Sequence, residues 1–102
     1  MKPFRLSRLA KRDLEQIADY IGERNPSAAV RQLEKLLRTL ETLASEPLMG
    51  ELRRDLPGMP RAFSSGNYVI LYKPAQRGIH VIRVAHAARD LPSLLRQRDD
   101  RA

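Results

Sequence analysis

Residues 67–90 contain two segments rich in β-branched and aromatic side chains, separated by a short turn. The segments are Tyr68–Lys73 and Ile79–Ala85, and residues of these types fit the pleated, half-buried surface of a sheet. Between them, Pro74 cannot donate a ladder hydrogen bond and Gly78 tolerates positive φ. The pattern predicts a β-hairpin closed by a loop of moderate length.

Alternation along this hairpin makes both of its faces largely apolar. With a period of two, successive side chains of a strand lie on opposite faces of the sheet. In the first strand, one face is predicted to have Tyr68, Ile70 and Tyr72, and the other Val69, Leu71 and Lys73. In the second strand, one face has His80, Ile82, Val84 and His86, and the other Ile79, Val81, Arg83 and Ala85. A two-stranded ribbon is marginal by itself, so we expect it at the centre of a larger sheet with helices on one face. A partner protein is one candidate for covering part of the other face.

Length and composition limit the classes of protein and site that the chain can provide. With 102 residues, it supports one domain over 1–102 that buries roughly 60 to 70% of its unfolded surface. It has no cysteine, two histidines and no carboxylates at ligand spacing, so we predict no disulfide, metal site or cofactor. The absence of a long apolar run and of a signal-peptide core favours a cytoplasmic protein without membrane contact.

The formal charge of +7 is unevenly distributed along the chain. Residues 1–60 have 11 basic and 9 acidic side chains, a net of +2, whereas residues 61–102 have 8 basic and 3 acidic, a net of +5. The predicted sheet half is therefore the cationic half. A field of this sign raises encounter rates with either a nucleic acid or an acidic protein segment, and it does not choose between them.

Two amphipathic helices are predicted before the hairpin. Lys2–Leu6 alternates like an edge strand, Ser7 is a candidate N-cap, and a helix with Asp13 on its solvent face ends near Gly22. Asn25–Pro26 begins a second helix that stops at Ser45–Pro47. Because the connection is short, we expect an antiparallel pair. The predicted contacts join Ala10, Leu14, Ile17 and Ile21 to the sheet and to Leu33, Leu36 and Leu40.

The remaining segments complete the predicted sheet. Leu48–Pro60, with two glycines and two prolines, is predicted to be irregular with a brief strand at Leu52–Leu56. Arg61–Ser65 is a further strand, and Asp90 is the N-cap of a short helix containing Leu91, Leu94 and Leu95. The predicted fold class is α+β, with an N-terminal strand, an antiparallel helical hairpin packed on a three- to four-stranded antiparallel sheet, and a short C-terminal helix.

An ordered series of short residue groups runs along nearly the whole chain. The groups are Ala10, Asp13–Leu14, Ile17, Tyr20–Ile21, Asn25–Pro26, Ala28–Ala29, Leu43–Ala44, Pro47, Gly50, Tyr68–Ile70, Tyr72, Ile82–Val84, His86 and Arg89–Leu91. No single group is specific, but the series resembles the ParE branch of the RelE/ParE superfamily of bacterial toxins. The resemblance implies a type II toxin neutralised by a ParD-like ribbon-helix-helix antitoxin, with operator DNA contacted only through the toxin-antitoxin complex.

The two branches of this superfamily are associated with different activities. ParE toxins are associated with poisoning of DNA gyrase, whereas RelE toxins cut mRNA on the ribosome, which requires acid/base groups and cations around the scissile phosphate. On this sequence, the RelE-type lysines, arginines and tyrosine fall near Pro60, Ala62, Val69, Ala87 and Ser93, none of which can serve. We therefore favour a non-enzymatic binding toxin with no catalytic residue, over a RelE-type endonuclease or an inert binding module.

Seven residues are candidates for contact with the target or the antitoxin, namely Arg61, Tyr68, Tyr72, Arg83, His86, Arg89 and Asp90. His86 is interpreted as a hydrogen-bonded structural residue and not as a general base, because it has no acidic or nucleophilic partner nearby in the sequence. Arg83 requires a carboxylate, a carbonyl or solvent, and Asp90 or an acid of the antitoxin is its predicted partner. We also expect an apolar groove with a basic rim that an antitoxin segment fills.

Overall fold

The structure, a computed structural model, describes residues 4–97. Its elements are a strand, two long helices, four further strands and a short helix. They are β1 Phe4–Leu6, α1 Arg8–Gly22, α2 Pro26–Ser45, β2 Glu51–Leu52, β3 Arg61–Ser65, β4 Tyr68–Pro74, β5 Ile79–His86 and α3 Leu91–Arg96. All strands belong to one sheet in the order β1-β5-β4-β3-β2.

The predicted α+β fold class is confirmed, with one difference in the sheet. Strands β2 to β5 pair antiparallel, as expected. β1 joins them at the edge and pairs in parallel with β5, from Phe4 opposite Ile79 to Leu6 opposite Val81, so the sheet has five strands and is mixed. Parallel pairing requires a long crossover, which the chain from α1 to β4 provides. The predicted strand residues Lys2 and Pro3 lie outside the described residues.

Both long helices begin where their capping residues predict. The Ser7 hydroxyl accepts a hydrogen bond from Ala10 N at 2.9 Å, and Asn25 Oδ1 accepts one from Ala28 N at 3.1 Å. Ser7 also ties α1 to the sheet, because its hydroxyl donates to Ile82 O at 2.7 Å. The cap therefore orients α1 on β5 as well as starting the helix.

The main core lies between the helical pair and one face of the sheet. The predicted helix contacts are confirmed for Ala10, Leu14, Leu36 and Leu40, which are buried there with Ile70, Tyr72 and Val81. Ile17 and Leu33 are half-buried against the same cluster. Ile21 instead lines a groove at the end of the helical pair. The apolar periodicity of the two helices thus identified the layer that holds the fold together.

The other face of the sheet is covered by the chain itself. Leu56, Val69 and Leu71 form a second buried cluster, against which Leu91 and Leu95 of α3 pack. This part of the face is therefore buried within the chain itself, so a partner protein is not needed to cover it. The short helix α3 and the irregular segment before β3 are sufficient to bury these side chains.

A bulge in β5 overturns the strict alternation predicted for the hairpin. The register passes from Leu71 opposite Arg83 to Tyr72 opposite Val81, so Ile82 is an extra residue in β5. As a result, Val81 and Val84 both face the helical layer, although alternation assigns them to opposite faces. Arg83 is left on the other side of the strand pair, opposite Leu71 of the second cluster.

The predicted strand at Leu52–Leu56 is wrong in its bounds, because β2 contains only Glu51 and Leu52. A buried hydroxyl fixes the segment before β2: Tyr72 OH accepts a hydrogen bond from Gly50 N and donates one to Pro47 O, each at 2.8 Å.

Among the described helices, none combines the length and apolarity needed to cross a membrane.

Candidate functional site

A groove of about 560 Å³ lies between α1, the start of α2 and the ends of β4 and β5. We call it the helix-strand groove, and its apolar walls are Ile17, Tyr20, Ile21, Tyr68 and Val84. Arg89 lines one side, and the guanidinium of Arg24 stacks over the Tyr20 ring at 4.2 Å. The groove thus combines apolar walls with positive charge, which suits the binding of an acidic, partly apolar segment.

His86 and Tyr68 are in contact where the hairpin lines one end of the groove. Their rings contact edge to face, with centroids 5.7 Å apart and an angle of 78° between the planes. The Nδ1 atom of His86 accepts a hydrogen bond from Ala88 N at 3.1 Å. In a neutral imidazole this places the proton on Nε2, because a nitrogen that accepts a hydrogen bond is not protonated. In that tautomer Nε2 is a hydrogen-bond donor.

Arg83 has a carboxylate partner, as predicted, but the partner is Asp13 and not Asp90. Nε and Nη2 of Arg83 donate to the two carboxylate oxygens of Asp13, each at 2.8 Å. Val84 N donates to Asp13 Oδ2 at 2.9 Å. Asp13 was expected on the solvent face of α1, yet it lies three residues after Ala10 and four before Ile17, on the buried stripe. That spacing was the available signal, since a buried carboxylate requires a cationic partner.

Three other candidates lie away from the groove. Arg61 Nη1 donates to Gly50 O at 2.8 Å and to Leu48 O at 3.3 Å, beside β2. Tyr72 is completely buried. Asp90 caps α3 by accepting hydrogen bonds from Ser93 N and Ser93 Oγ, which lower the pKa of its carboxyl group below the usual value. A direct partner contact by Tyr72 would require the core to open, so we leave it out of the proposed surface.

The structure therefore brings together Tyr68, His86 and Arg89 from the candidate residues. It adds two glutamines that sequence reasoning missed, Gln16 on α1 and Gln32 on α2. The Nε2 atom of Gln32 is buried and has no hydrogen-bond partner within residues 4–97. Polar residues at the border of an apolar helical stripe were the only signal for them.

A second, polar cavity of about 240 Å³ adjoins the groove. Asp13, Gln16 and Arg89 line both spaces, and Arg12, Arg83 and Gln97 line the cavity only. Within the part of the chain that is described, no group of three His, Cys, Asp or Glu residues is placed to hold a metal ion. The chemistry that the two spaces offer is therefore apolar contact, hydrogen-bond donation and positive charge.

His80 lies elsewhere, beside an apolar cavity of about 200 Å³ between β5 and α3. Burial lowers the pKa of this histidine, and the charges of Arg5 and Lys73 lower it further. The residue is half-buried next to the edge strand, and it is remote from the residues of the helix-strand groove.

Comparison with known proteins identifies the family. A family model described as the ParE toxin of type II toxin-antitoxin systems matches residues 4–91. Toxin ParE1 of Caulobacter vibrioides is 38% identical over 87 residues, covering 84% of this chain and 90% of that protein. Toxin RelE2 of the same organism is 38% identical over 81 residues, covering 76% of this chain and 85% of that protein.

A solved structure shares the fold. It is described as the chromosomal ParDE TA system from P. aeruginosa, and it matches with a TM-score of 0.70 and 18% sequence identity over 84% of this chain and 96% of that one. The family match spans β1 to the start of α3, and therefore includes the helical pair, the hairpin and every wall of the groove. The chain belongs to the ParE toxin family of type II toxin-antitoxin systems.

Proposed function

We propose that this toxin acts in the cytoplasm by binding DNA gyrase, without catalysis of its own, and that a ParD-like antitoxin neutralises it. In this proposal a segment of the antitoxin fills the helix-strand groove, and operator DNA is contacted only through the toxin-antitoxin complex. The gyrase target and the type of antitoxin are what the ParE resemblance implies. The groove supports the binding surface, since it combines apolar walls with Arg89 and with Gln32, whose buried Nε2 has no hydrogen-bond partner among residues 4–97.

The hydrogen bond to His86 is the observation that carries the choice of a binder over a nuclease. A general base for the 2′-hydroxyl requires an unprotonated nitrogen that faces the substrate. Nδ1 of His86 already accepts a hydrogen bond from Ala88 N, so its lone pair is not available to a substrate proton. The nearby cation Arg83 is buried and neutralised by Asp13. Nδ1 of His86 and the guanidinium of Arg83 are therefore already engaged within the fold, which supports a binding role for the strand end over RNA cleavage by these two residues.

The alternative is a ribosome-dependent mRNA endonuclease of the RelE type. The similarity to relatives named Toxin RelE2, and to Toxin RelE3 at 27% identity over 88 residues, favours this second possibility. The two functions differ in whether a titrating side chain is needed. They can therefore be separated by a substitution that retains hydrogen bonding and removes titration.

The test compares wild type, His86→Gln and, as a matched control outside the groove, His80→Gln. Each is induced in cells, and growth arrest, gyrase cleavage complexes and mRNA cleavage are measured in the same cultures. A binding toxin retains most of its activity with His86→Gln, whereas an endonuclease that relies on this side chain loses on the order of 100-fold or more. Cleaved mRNA that disappears with His86→Gln and persists with His80→Gln would overturn the proposal.

A second experiment tests the groove. Tyr20 and Val30 are exposed to similar extents, 59% and 57%, but only Tyr20 lines the groove. We expect Tyr20→Ala to weaken binding of the cognate antitoxin, because an aromatic side chain at an interface contributes much of its binding energy. Val30→Ala should bind like wild type. Equal affinities for the two variants would place the antitoxin elsewhere.

A further inference from the structure

The polar cavity has an excess of positive charge that the fold does not use. Among its lining residues, the charged ones are Arg12, Asp13, Arg83 and Arg89, which gives a net charge of +2. Asp13 and Arg83 neutralise each other at 2.8 Å. The excess therefore belongs to Arg12 and Arg89, which are exposed and donate no side-chain hydrogen bond to another described residue.

Arg83 also lines the polar cavity, and one of its N–H groups has no acceptor among the described residues. A guanidinium has five N–H groups. Arg83 uses four of them, two for Asp13 and one each for Leu94 O and Gln97 Oε1. The fifth, on Nη2, has no partner within residues 4–97, although Arg83 is only 6% exposed. A buried charged donor without an acceptor is unfavourable, so an acceptor from a ligand would be stabilised here.

We propose that the polar cavity is a carboxylate-binding site that receives one Asp or Glu side chain of the protein segment lying in the helix-strand groove. This inference rests on the proposed function, in which that groove binds a protein segment. Arg89 lines both spaces and therefore contacts the carboxylate as it turns from the groove into the cavity. Arg12 binds it from the α1 side, and the free Nη2 hydrogen of Arg83 provides the third donor.

The surroundings favour a peptide carboxylate over a phosphate of nucleic acid. Nucleic acids draw most of their affinity from many phosphates contacted by many cations. Here two cations without a side-chain partner among residues 4–97 line one cavity, and the adjoining groove is lined by Ile17, Tyr68 and Val84, which suit the apolar side chains of a peptide. Gln32 lines the same groove, and its buried Nε2 has no hydrogen-bond acceptor within residues 4–97, whereas a peptide main chain offers carbonyl oxygens.

The experiment measures association and dissociation rates of the cognate antitoxin with wild type, Arg12→Gln, Arg89→Gln and the double variant. Arg77→Gln is the matched control, since Arg77 is exposed in the β4–β5 loop and lines neither space. Truncating a desolvated charge pair raises the dissociation rate, whereas a rim charge alters mainly the association rate. We expect Arg89→Gln to raise the dissociation rate on the order of 10-fold and Arg77→Gln to leave it unchanged.

Acid-to-amide substitutions in the antitoxin then identify the carboxylate. One of them should raise the dissociation rate from wild-type toxin and have little further effect on Arg89→Gln, because both changes remove the same contact. If every such substitution is additive with Arg89→Gln, or if the arginine variants dissociate like wild type, the carboxylate site is refuted.

Antitoxin binding by Tyr20→Ala distinguishes failure of the carboxylate site from failure of the proposed function. Weakened antitoxin binding by Tyr20→Ala together with unaffected arginine variants would refute only the carboxylate site. Unaffected binding by Tyr20→Ala would refute the groove itself. A single-stranded RNA oligonucleotide is measured with the same variants, and loss of RNA binding with unchanged antitoxin binding would make the cavity a phosphate site and overturn the inference.

Discussion

Asp13 and Arg83, 70 residues apart in the chain, form a two-pronged ion pair with both N···O distances at 2.8 Å. Both side chains are less than a tenth exposed. The pair joins α1 to β5, and Arg83 extends the connection to α3 through Leu94 O. Three elements from both ends of the chain are therefore positioned by one guanidinium, and one wall of the groove is positioned with them.

Breaking this pair should destabilise the protein more than replacing it. We expect Asp13→Asn to lower the free energy of unfolding by about 3–5 kcal/mol, because Arg83 is left as an uncompensated buried charge. The double variant Asp13→Asn with Arg83→Met removes that charge and should recover part of the loss. Urea denaturation of wild type, both single variants and the double variant gives the coupling energy, and additive losses would show that the two charges do not interact.

The Tyr72 hydroxyl should be needed for the segment before β2. Tyr72→Phe leaves the buried Gly50 N–H without its acceptor, so we expect a loss of about 1–3 kcal/mol in the free energy of unfolding. Tyr68→Phe is the matched control, because the contact of Tyr68 is made by its ring with His86, and its hydroxyl makes no hydrogen bond to another residue in 4–97. Thermal or urea unfolding measures both variants, and equal losses would contradict the role assigned to Tyr72.

The two helix caps should differ in their contribution to stability. Asn25→Ala removes a single capping hydrogen bond, for which about 0.5–2 kcal/mol is expected. Ser7→Ala removes the cap and also the bond to Ile82 O, so it should cost about 0.5–1.5 kcal/mol more. Denaturant unfolding of both variants tests the difference. A Ser7→Ala loss no larger than that of Asn25→Ala would show that the contact with β5 adds nothing.

Stability should depend on pH through His80. Burial lowers the pKa of this residue in the folded protein, with the charges of Arg5 and Lys73 acting in the same direction. In the unfolded chain the pKa is near 6.5, so the unfolded state takes up the proton first as the pH falls. The contribution of His80 is therefore favourable above about pH 6.5 and is lost as the pH falls from there toward the folded pKa.

Replacing His80 isolates this effect. His80→Gln should reduce the slope of the free energy of unfolding against pH between about 7 and 5, since glutamine does not titrate. Urea unfolding at a series of pH values measures both slopes. If the slope of His80→Gln equals that of wild type, another group is responsible for the dependence.

Antitoxin association should be fast at low salt and slow at high salt. Five of the seven net positive charges follow residue 60, so they attract an acidic segment over distances that salt screens. The bound state should depend less on salt, because apolar contacts in the groove exclude water. Stopped-flow association and dissociation rates at several salt concentrations test this, and a dissociation rate that changes more than the association rate would contradict it.

The elements were predictable from local chemistry. Ser7, Asn25 and Asp90 cap the three helices as predicted, and β3 begins and ends at the predicted residues. The hairpin strands each extend one residue beyond their predicted ends. Such features depend on residues within about four positions of each other, so the order of residues is sufficient to specify them.

The candidate site was predictable only in part. Tyr68, His86 and Arg89 come from consecutive parts of the hairpin and its exit, and they do line one groove. The partner of Arg83 was not predictable in the same way, because several acids satisfy its requirement for a carboxylate and only the docking of α1 on β5 selects Asp13.

The sequence by itself determined which segments become helices and strands, where they stop and which stripes are apolar, because these properties repeat over one or two turns of local structure. Only the tertiary structure decided on which side of the sheet the β5 residues after Ile82 lie, the parallel pairing of β1 and the burial of Asp13. Each of these depends on which distant segments meet, and an extra residue in one strand exchanges its two faces without any change in its composition.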